Sequence, residues 1–217
     1  MNELKTLLES GIEANIEKAL SLAKEQGVLD TIIQPYLELN QWLQQFGRGV
    51  DEEASVEEMI HYIVVVEYLD ITDKKLEKLP ENIFYLMRGL ITINLSNNKL
   101  SSLPDSIATL KNVRSLALTY NNLIQLNEQI GALQSLEALY LSDNKINKLP
   151  DSIGDLKALE ELYLTRNPLL KLPATIHKMT SLVHLDIEDN MDDDYNIVSD
   201  EEQDRIQQSL PNCEVRF

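Results

Sequence analysis

Few side chains in this sequence are placed to do chemistry. His184 and Asp186 flank Leu185, so on an extended strand both point the same way, and Glu161 lies 23 residues upstream. An imidazole with two carboxylates is a donor set for a divalent metal or for acid/base hydrolysis. Neighbours at i and i+2 on a strand are about 6.7 Å apart, however, and nothing else in the chain organises a reaction around them, so a metal-dependent hydrolase is the lesser alternative. The run Asp192, Asp193, Asp194, with Asp189 and Asn196 nearby, invites calcium but lacks the glycine and the closing glutamate of a calcium loop, and it reads as a solvated capping loop. Cys213 has acidic rather than basic neighbours and reads as a small buried hydrophobe. The histidines His61, His177 and His184 are scattered, and the phosphate-loop, dinucleotide, nucleophile-elbow and zinc-helix motifs are absent from the sequence. The expectation is a protein without catalytic residues, cofactor or metal.

What positions these residues is a repeat. Leu90, Val113, Leu136, Leu159 and Leu182 stand 23 apart, and each opens the pattern L-x-x-L-x-L-x-x-N-x-L. The copies run through Ile93, Leu95, Asn98, Leu100; Leu116, Leu118, Asn121, Leu123; Leu139, Leu141, Asn144, Ile146; and Leu162, Leu164, Asn167, Leu169. The fifth keeps Leu185, Ile187 and Asn190, with Asp192 at the last apolar site. A further unit upstream has Val66, Leu69, Ile71 and Leu76, with Lys74 in place of the asparagine, which makes six. Alternating leucines put one face of each short strand into a core, and strands from successive units stack into a parallel sheet. A column of asparagines at the strand ends can bond loop backbone that would otherwise be buried unpaired.

The second half of each unit reads L-P-x-x-I-x-x-L, as in Leu103, Pro104, Ile107, Leu110 and Leu149, Pro150, Ile153, Leu156; Asn127 replaces the proline in one copy. Over residues 66 to 190 the chain resembles the leucine-rich repeat proteins of the 23-residue class, and its closing Leu-Pro-Asn-Cys-Glu-Val-Arg-Phe is similar to that of bacterial members. The resemblance implies an α/β solenoid with six repeats, a curved parallel sheet and short helical or 3₁₀ turns on the convex side, acting as a protein-interaction module. It also brings an alternative, the recognition part of an effector or of a system regulating small GTPases. Some bacterial leucine-rich repeat effectors carry an appended ubiquitin-ligase domain; with about 20 residues after the last repeat, all taken by the cap, none is expected here, and in such a system the expected role is that of a recognition part.

The flanks read as covers for the open ends of the solenoid, giving a helical region at 1–62, repeats at 63–196 and a C-terminal cap at 197–217. Leu4, Leu7 and Leu8 predict one helix; Ile12, Ile16, Ala19, Leu20 and Ala23 predict a second, ended by Gly27. Asp30 is the expected cap of a third, aromatic helix closing at Gly47. Ser55 and Glu58 predict a capping box for a short helix feeding a strand over Ile63–Ile71, and Ser199 with Glu202 predicts another, followed by a last strand in which Cys213, Val215 and Phe217 alternate with Asn212, Glu214 and Arg216 and Cys213 faces inward.

A net charge of −17 argues against nucleic acid and anionic membrane as partners. Residues 1–65 hold 12 acids and 4 bases, 66–190 hold 16 and 13, and 191–217 hold 8 and 2, so the acidity sits at the two ends. With one cysteine, no apolar leader at the start and no apolar run of about 18 residues, the expected setting is the cytoplasm. Function then falls to outward strand residues. One column runs Asp70, Asn94, Ala117, Tyr140, Tyr163, Asp186, and the column before each asparagine runs Asp73, Asn97, Tyr120, Asp143, Arg166, Asp189. Tyr120, Tyr140, Asp143, Glu161, Tyr163, Arg166, His184 and Asp186 are the expected protein-binding residues, since tyrosine and arginine are enriched where partners bind. Six strands offer roughly 400 to 500 Å², enough for a peptide, one helix or a loop rather than a whole folded partner. A monomer is expected, with dimerisation through residues 1–62 as the alternative.

Overall fold

The computed structural model describes residues 2–188 and 198–217. The acidic run at 192–194, together with Asp189, Asn190 and Asn196, lies outside them. Four helices come first: α1 (Asn2–Leu8), α2 (Glu13–Glu25), α3 (Leu29–Gln44) and α4 (Val56–Val65). Each turns an apolar stripe inward, for example Ile16, Ala19, Leu20 and Ala23 on α2. Gly27 and Gly47 follow α2 and α3 with φ of +67° and +69°, the left-handed conformation that only glycine adopts without penalty.

Seven strands then form one open parallel sheet in chain order: β1 (Tyr68–Asp70), β2 (Thr92–Asn94), β3 (Ser115–Ala117), β4 (Ala138–Tyr140), β5 (Glu161–Tyr163), β6 (His184–Asp186) and β7 (Glu214–Arg216). The register is unbroken, Leu69, Ile93, Leu116, Leu139, Leu162, Leu185 and Val215 lying side by side. Return segments begin with a four-residue helix, α5 (Ile83–Leu86), and continue as 3₁₀ turns at Asp105–Thr109, Glu128–Ala132, Asp151–Asp155 and Ala174–Lys178. Their prolines enter with ψ near 150°, and Asn127 adopts the same extended backbone (φ −79°, ψ 161°), its side chain bonding Leu103 O and Asp105 Oδ1 instead. Helix α6 (Asp200–Ser209) precedes β7. Buried apolar side chains from Leu4 to Cys213 make one continuous cluster.

The asparagines behave as their spacing requires. Asn98, Asn121, Asn144 and Asn167 are buried, and each donates to a carbonyl of its own strand end and to one of the preceding unit, while its Oδ1 accepts a loop N–H.

Several local expectations need correction. Asp30 does not cap α3: the helix begins at Leu29 with Val28 before it, which leaves Asp30 in the first turn, where its charge suits the helix dipole. The segment 63–65 is helical rather than extended, because Ile60, Ile63 and Val64 bury at helical spacing, and β1 is confined to Tyr68–Asp70. The box at Ser55 forms in full. At Ser199 only half of it forms: the hydroxyl accepts from Glu202 N, but the Glu202 carboxylate turns to Arg205 and to Leu172 N. Cys213 is buried as expected, whereas Phe217 is 37% exposed, beyond the end of β7.

Candidate functional site

The outward column of the sheet is built by register alone. Asp70, Asn94, Ala117, Tyr140, Tyr163 and Asp186 are cross-strand neighbours in that order, and Arg216 of β7 continues the column. Tyr140 and Tyr163 stack with centroids 5.0 Å apart and planes 12° apart, and the His184 ring follows at 5.1 Å from Tyr163. The Tyr140 hydroxyl donates to Glu161 Oε2 at 3.2 Å. Partial burial and the Glu161 carboxylate push both tyrosine hydroxyls above the ordinary phenol range, so both are neutral donors at physiological pH.

The second column is set by a backbone turn. Asp73, Asn97, Tyr120, Asp143 and Arg166 all have φ between +53° and +57°. Asparagine and aspartate tolerate this left-handed conformation, while a bulky side chain is uncommon there. Arg166 pairs through two nitrogens with Asp143 and donates to the Tyr120 hydroxyl at 3.3 Å, its guanidinium 5.9 Å from the Tyr120 ring centre. The bonds to Asp143 hold the guanidinium firmly cationic. Tyr120 remains 52% exposed. Tyr120, Asp143 and Arg166 therefore form one hydrogen-bonded row at the rim, beside the Tyr140–Tyr163–His184 stack.

The lesser alternative, a metal constellation of His184, Asp186 and Glu161, finds no support in the geometry. Glu161 and His184 are cross-strand partners, but Glu161 is bonded to Tyr140, while His184 packs against Tyr163 and lies 4.0 Å from Glu214. Among the described residues no group of three histidine, cysteine or acidic side chains is arranged to hold a metal ion. Burial and the adjacent Glu214 push the Cys213 thiol up to about 11, which makes it a poor nucleophile.

Sequence reasoning picked out the tyrosines, the arginine and the acids of this patch but stopped the column at Asp186. Arg216 was legible in principle, since Glu214-Val215-Arg216 continues the polar-apolar-polar alternation of the strands before it. The left-handed turn had a signal too, in the Asp and Asn at positions 73, 97 and 143.

Residues 109–202 match a family model described as a leucine-rich repeat region, and residues 65–123 match one described as a leucine rich repeat. Among solved structures, the chain is similar to a leucine-rich repeat protein of Leptospira interrogans, at 27% identity and a TM-score of 0.33; the match covers 76% of this chain and 57% of that one. The chain thus spans little over half the length of that protein. None of the curated proteins matches it. Among the described residues no helix is long and apolar enough to cross a membrane.

Proposed function

The chain belongs to the leucine-rich repeat proteins, whose repeat domains are generally protein-interaction modules, and from that premise we propose that it binds a peptide, helix or loop of a partner protein through the outward, concave face of its strands. The observation that carries this is the occupancy of the left-handed column. Placing a non-glycine residue there costs on the order of 1–2 kcal/mol, least for asparagine and aspartate. Asp73, Asn97 and Asp143 fill three of the sites at low cost, whereas Tyr120 and Arg166 do not. Both nevertheless stand beside the Tyr140–Tyr163 stack, at the rim of the face, where tyrosine and arginine are the side chains that contribute most to binding.

In this reading Tyr120, Tyr140, Tyr163 and Arg166 form the anchoring centre, and Asp143, Glu161, His184 and Asp186 orient and surround it. Seven strands span about 29 Å, so the face suits one segment of a partner. Residues 1–62 serve as the N-terminal cover, 63–196 as the repeat body and 197–217 as the C-terminal cap of a cytoplasmic, bacterial, monomeric scaffold without enzymatic activity of its own. The test is affinity capture from a cell extract with the intact protein and a Tyr140→Ala/Tyr163→Ala/Arg166→Ala variant side by side. Loss of the same partner from the variant supports the reading, and equal recovery moves the site to the helices or the loops.

A further inference from the structure

Positive charge on this molecule is sorted by residue type. All six arginines sit in ion pairs, while none of the thirteen lysines forms one with a described residue. Seven of those lysines fall in five short segments at or just after the asparagine column, 74–78, where Lys74 holds the asparagine position itself, and 99–102, 122–125, 145–148 and 168–171. Glu77 is the one acid there, so seven lysines against one glutamate give the flank a net +6 in a chain of −17. All seven are exposed. Backbone bonds keep the first four segments in step, from Lys99 N to Leu76 O at 2.8 Å, Asn122 N to Leu100 O at 2.9 Å and Lys145 N to Leu123 O at 2.9 Å, and Gln125 bridges Lys148; the fifth, which opens with Pro168 and so lacks that N–H, follows by the repeat spacing. These lysines therefore recur at equivalent repeat positions beyond the strand ends, apart from the strand face.

Two aliphatic side chains lie in the same strip. Ile124 and Leu170 hold the same position two repeats apart and are 53% and 51% exposed, with Lys145 and Lys148 in the unit between them and Lys171 next to Leu170. Two repeat steps are about 10 Å at the strand spacing. Extended residues facing one way recur at about 6.8 and 13.6 Å, whereas residues i and i+7 of a helix lie on one face about 10.5 Å apart. We infer that this flank docks a short acidic amphipathic helix of a partner protein, whose apolar residues at i and i+7 seat on Ile124 and Leu170 and whose carboxylates meet Lys145, Lys148 and Lys171. A longer polyanion is disfavoured, because the sequence on either side of the repeats is acidic, 12 acids to 4 bases over 1–65 and 8 to 2 over 191–217, and because a phosphate backbone has no use for Ile124 and Leu170.

The probe is a fluorescein-labelled Glu/Ala helix of roughly fifteen residues with two leucines seven apart, followed by fluorescence polarisation at low salt. Saturable binding is expected, weakened about tenfold or more by Lys145→Glu/Lys148→Glu/Lys171→Glu, several-fold by Ile124→Ser/Leu170→Ser, and progressively by added salt. The strand-face variant Tyr140→Ala/Tyr163→Ala/Arg166→Ala should bind the probe as the intact protein does, which separates this surface from the one above. Thermal melting of each variant establishes that it folds. The inference is overturned if the charge-reversed variant binds equally well, if the serine pair has no effect, if a peptide with lysine in place of glutamate binds as tightly, or if duplex DNA or phosphatidylserine vesicles bind more tightly than the probe.

Discussion

Replacing Asn144 with alanine tests the asparagine column as the device that holds successive repeats together. Its Nδ2 donates to Leu118 O at 3.0 Å and Leu141 O at 2.9 Å, and its Oδ1 accepts from Leu123 N at 3.0 Å. The consequences for these groups differ. Leu118 O keeps a bond from Asn121, and Leu141 O keeps one from Asn167, but Leu123 N loses its partner in a buried loop. An orphaned buried N–H costs about 1–3 kcal/mol, and the two weakened carbonyls add less, so the expected loss is about 2–3 kcal/mol. In a chain of this size that lowers Tm by roughly 4–12 °C. Urea and thermal unfolding followed by circular dichroism would measure it, with Asn147→Ala, an exposed asparagine three residues on, as a control expected to stay within about 0.5 kcal/mol. Asn144→Ala/Asn167→Ala should exceed the sum of the singles, because Leu141 O then has neither donor. A loss at Asn144 no larger than that at Asn147 would refute the argument.

Gly154→Ala should destabilise by about 1–3 kcal/mol in the same unfolding assay, since a Cβ there would lie 2.4 Å from Thr175 O and 2.7 Å from Thr175 Cβ in the next turn. Tyr120→Asn should leave stability unchanged or raise it by up to about 1 kcal/mol, by relieving the left-handed backbone, while weakening partner capture. Glu202 is held below the ordinary carboxylate range by its hydrogen bonds to Arg205. Its contribution is therefore present above the unfolded carboxylate pKa and lost as pH falls through the lower folded value, and Glu202→Gln should flatten the acid limb of a Tm-against-pH profile. Cys213, buried and with its thiol raised to about 11, should react with iodoacetamide at pH 8 far more slowly in the native protein than in urea.

The repeat body was readable because its physics is periodic. Leucine spacing dictates which strand pairs with which, so the Tyr140–Tyr163 neighbourhood followed from counting by 23. The parts that escaped depend on single local choices. Nothing in the periodicity distinguishes Val28 from Asp30 as the start of α3, and the apolar run at 60–66 suits a helix or a strand equally until the neighbouring helices select the helix. The hydrogen bonds that draw Glu161 to Tyr140 and Arg166 to Asp143 lie below the resolution of spacing, yet they turn a set of donors that resembled a metal site into a rim of tyrosines and paired charges. The segregation of lysine from arginine becomes visible only once the ion pairs are known.

The most direct test of the binding face is a photo-activatable cross-linker placed at Ala117, in the outward column beside Tyr140, and in a second protein at the exposed Lys111 outside that column. Irradiation in a cell extract should join a partner protein to the Ala117 position and not to the Lys111 position, with the adduct lost when Tyr140, Tyr163 and Arg166 are replaced by alanine. Cross-linking from Lys111 alone, or an Ala117 adduct indifferent to those three substitutions, would contradict the account.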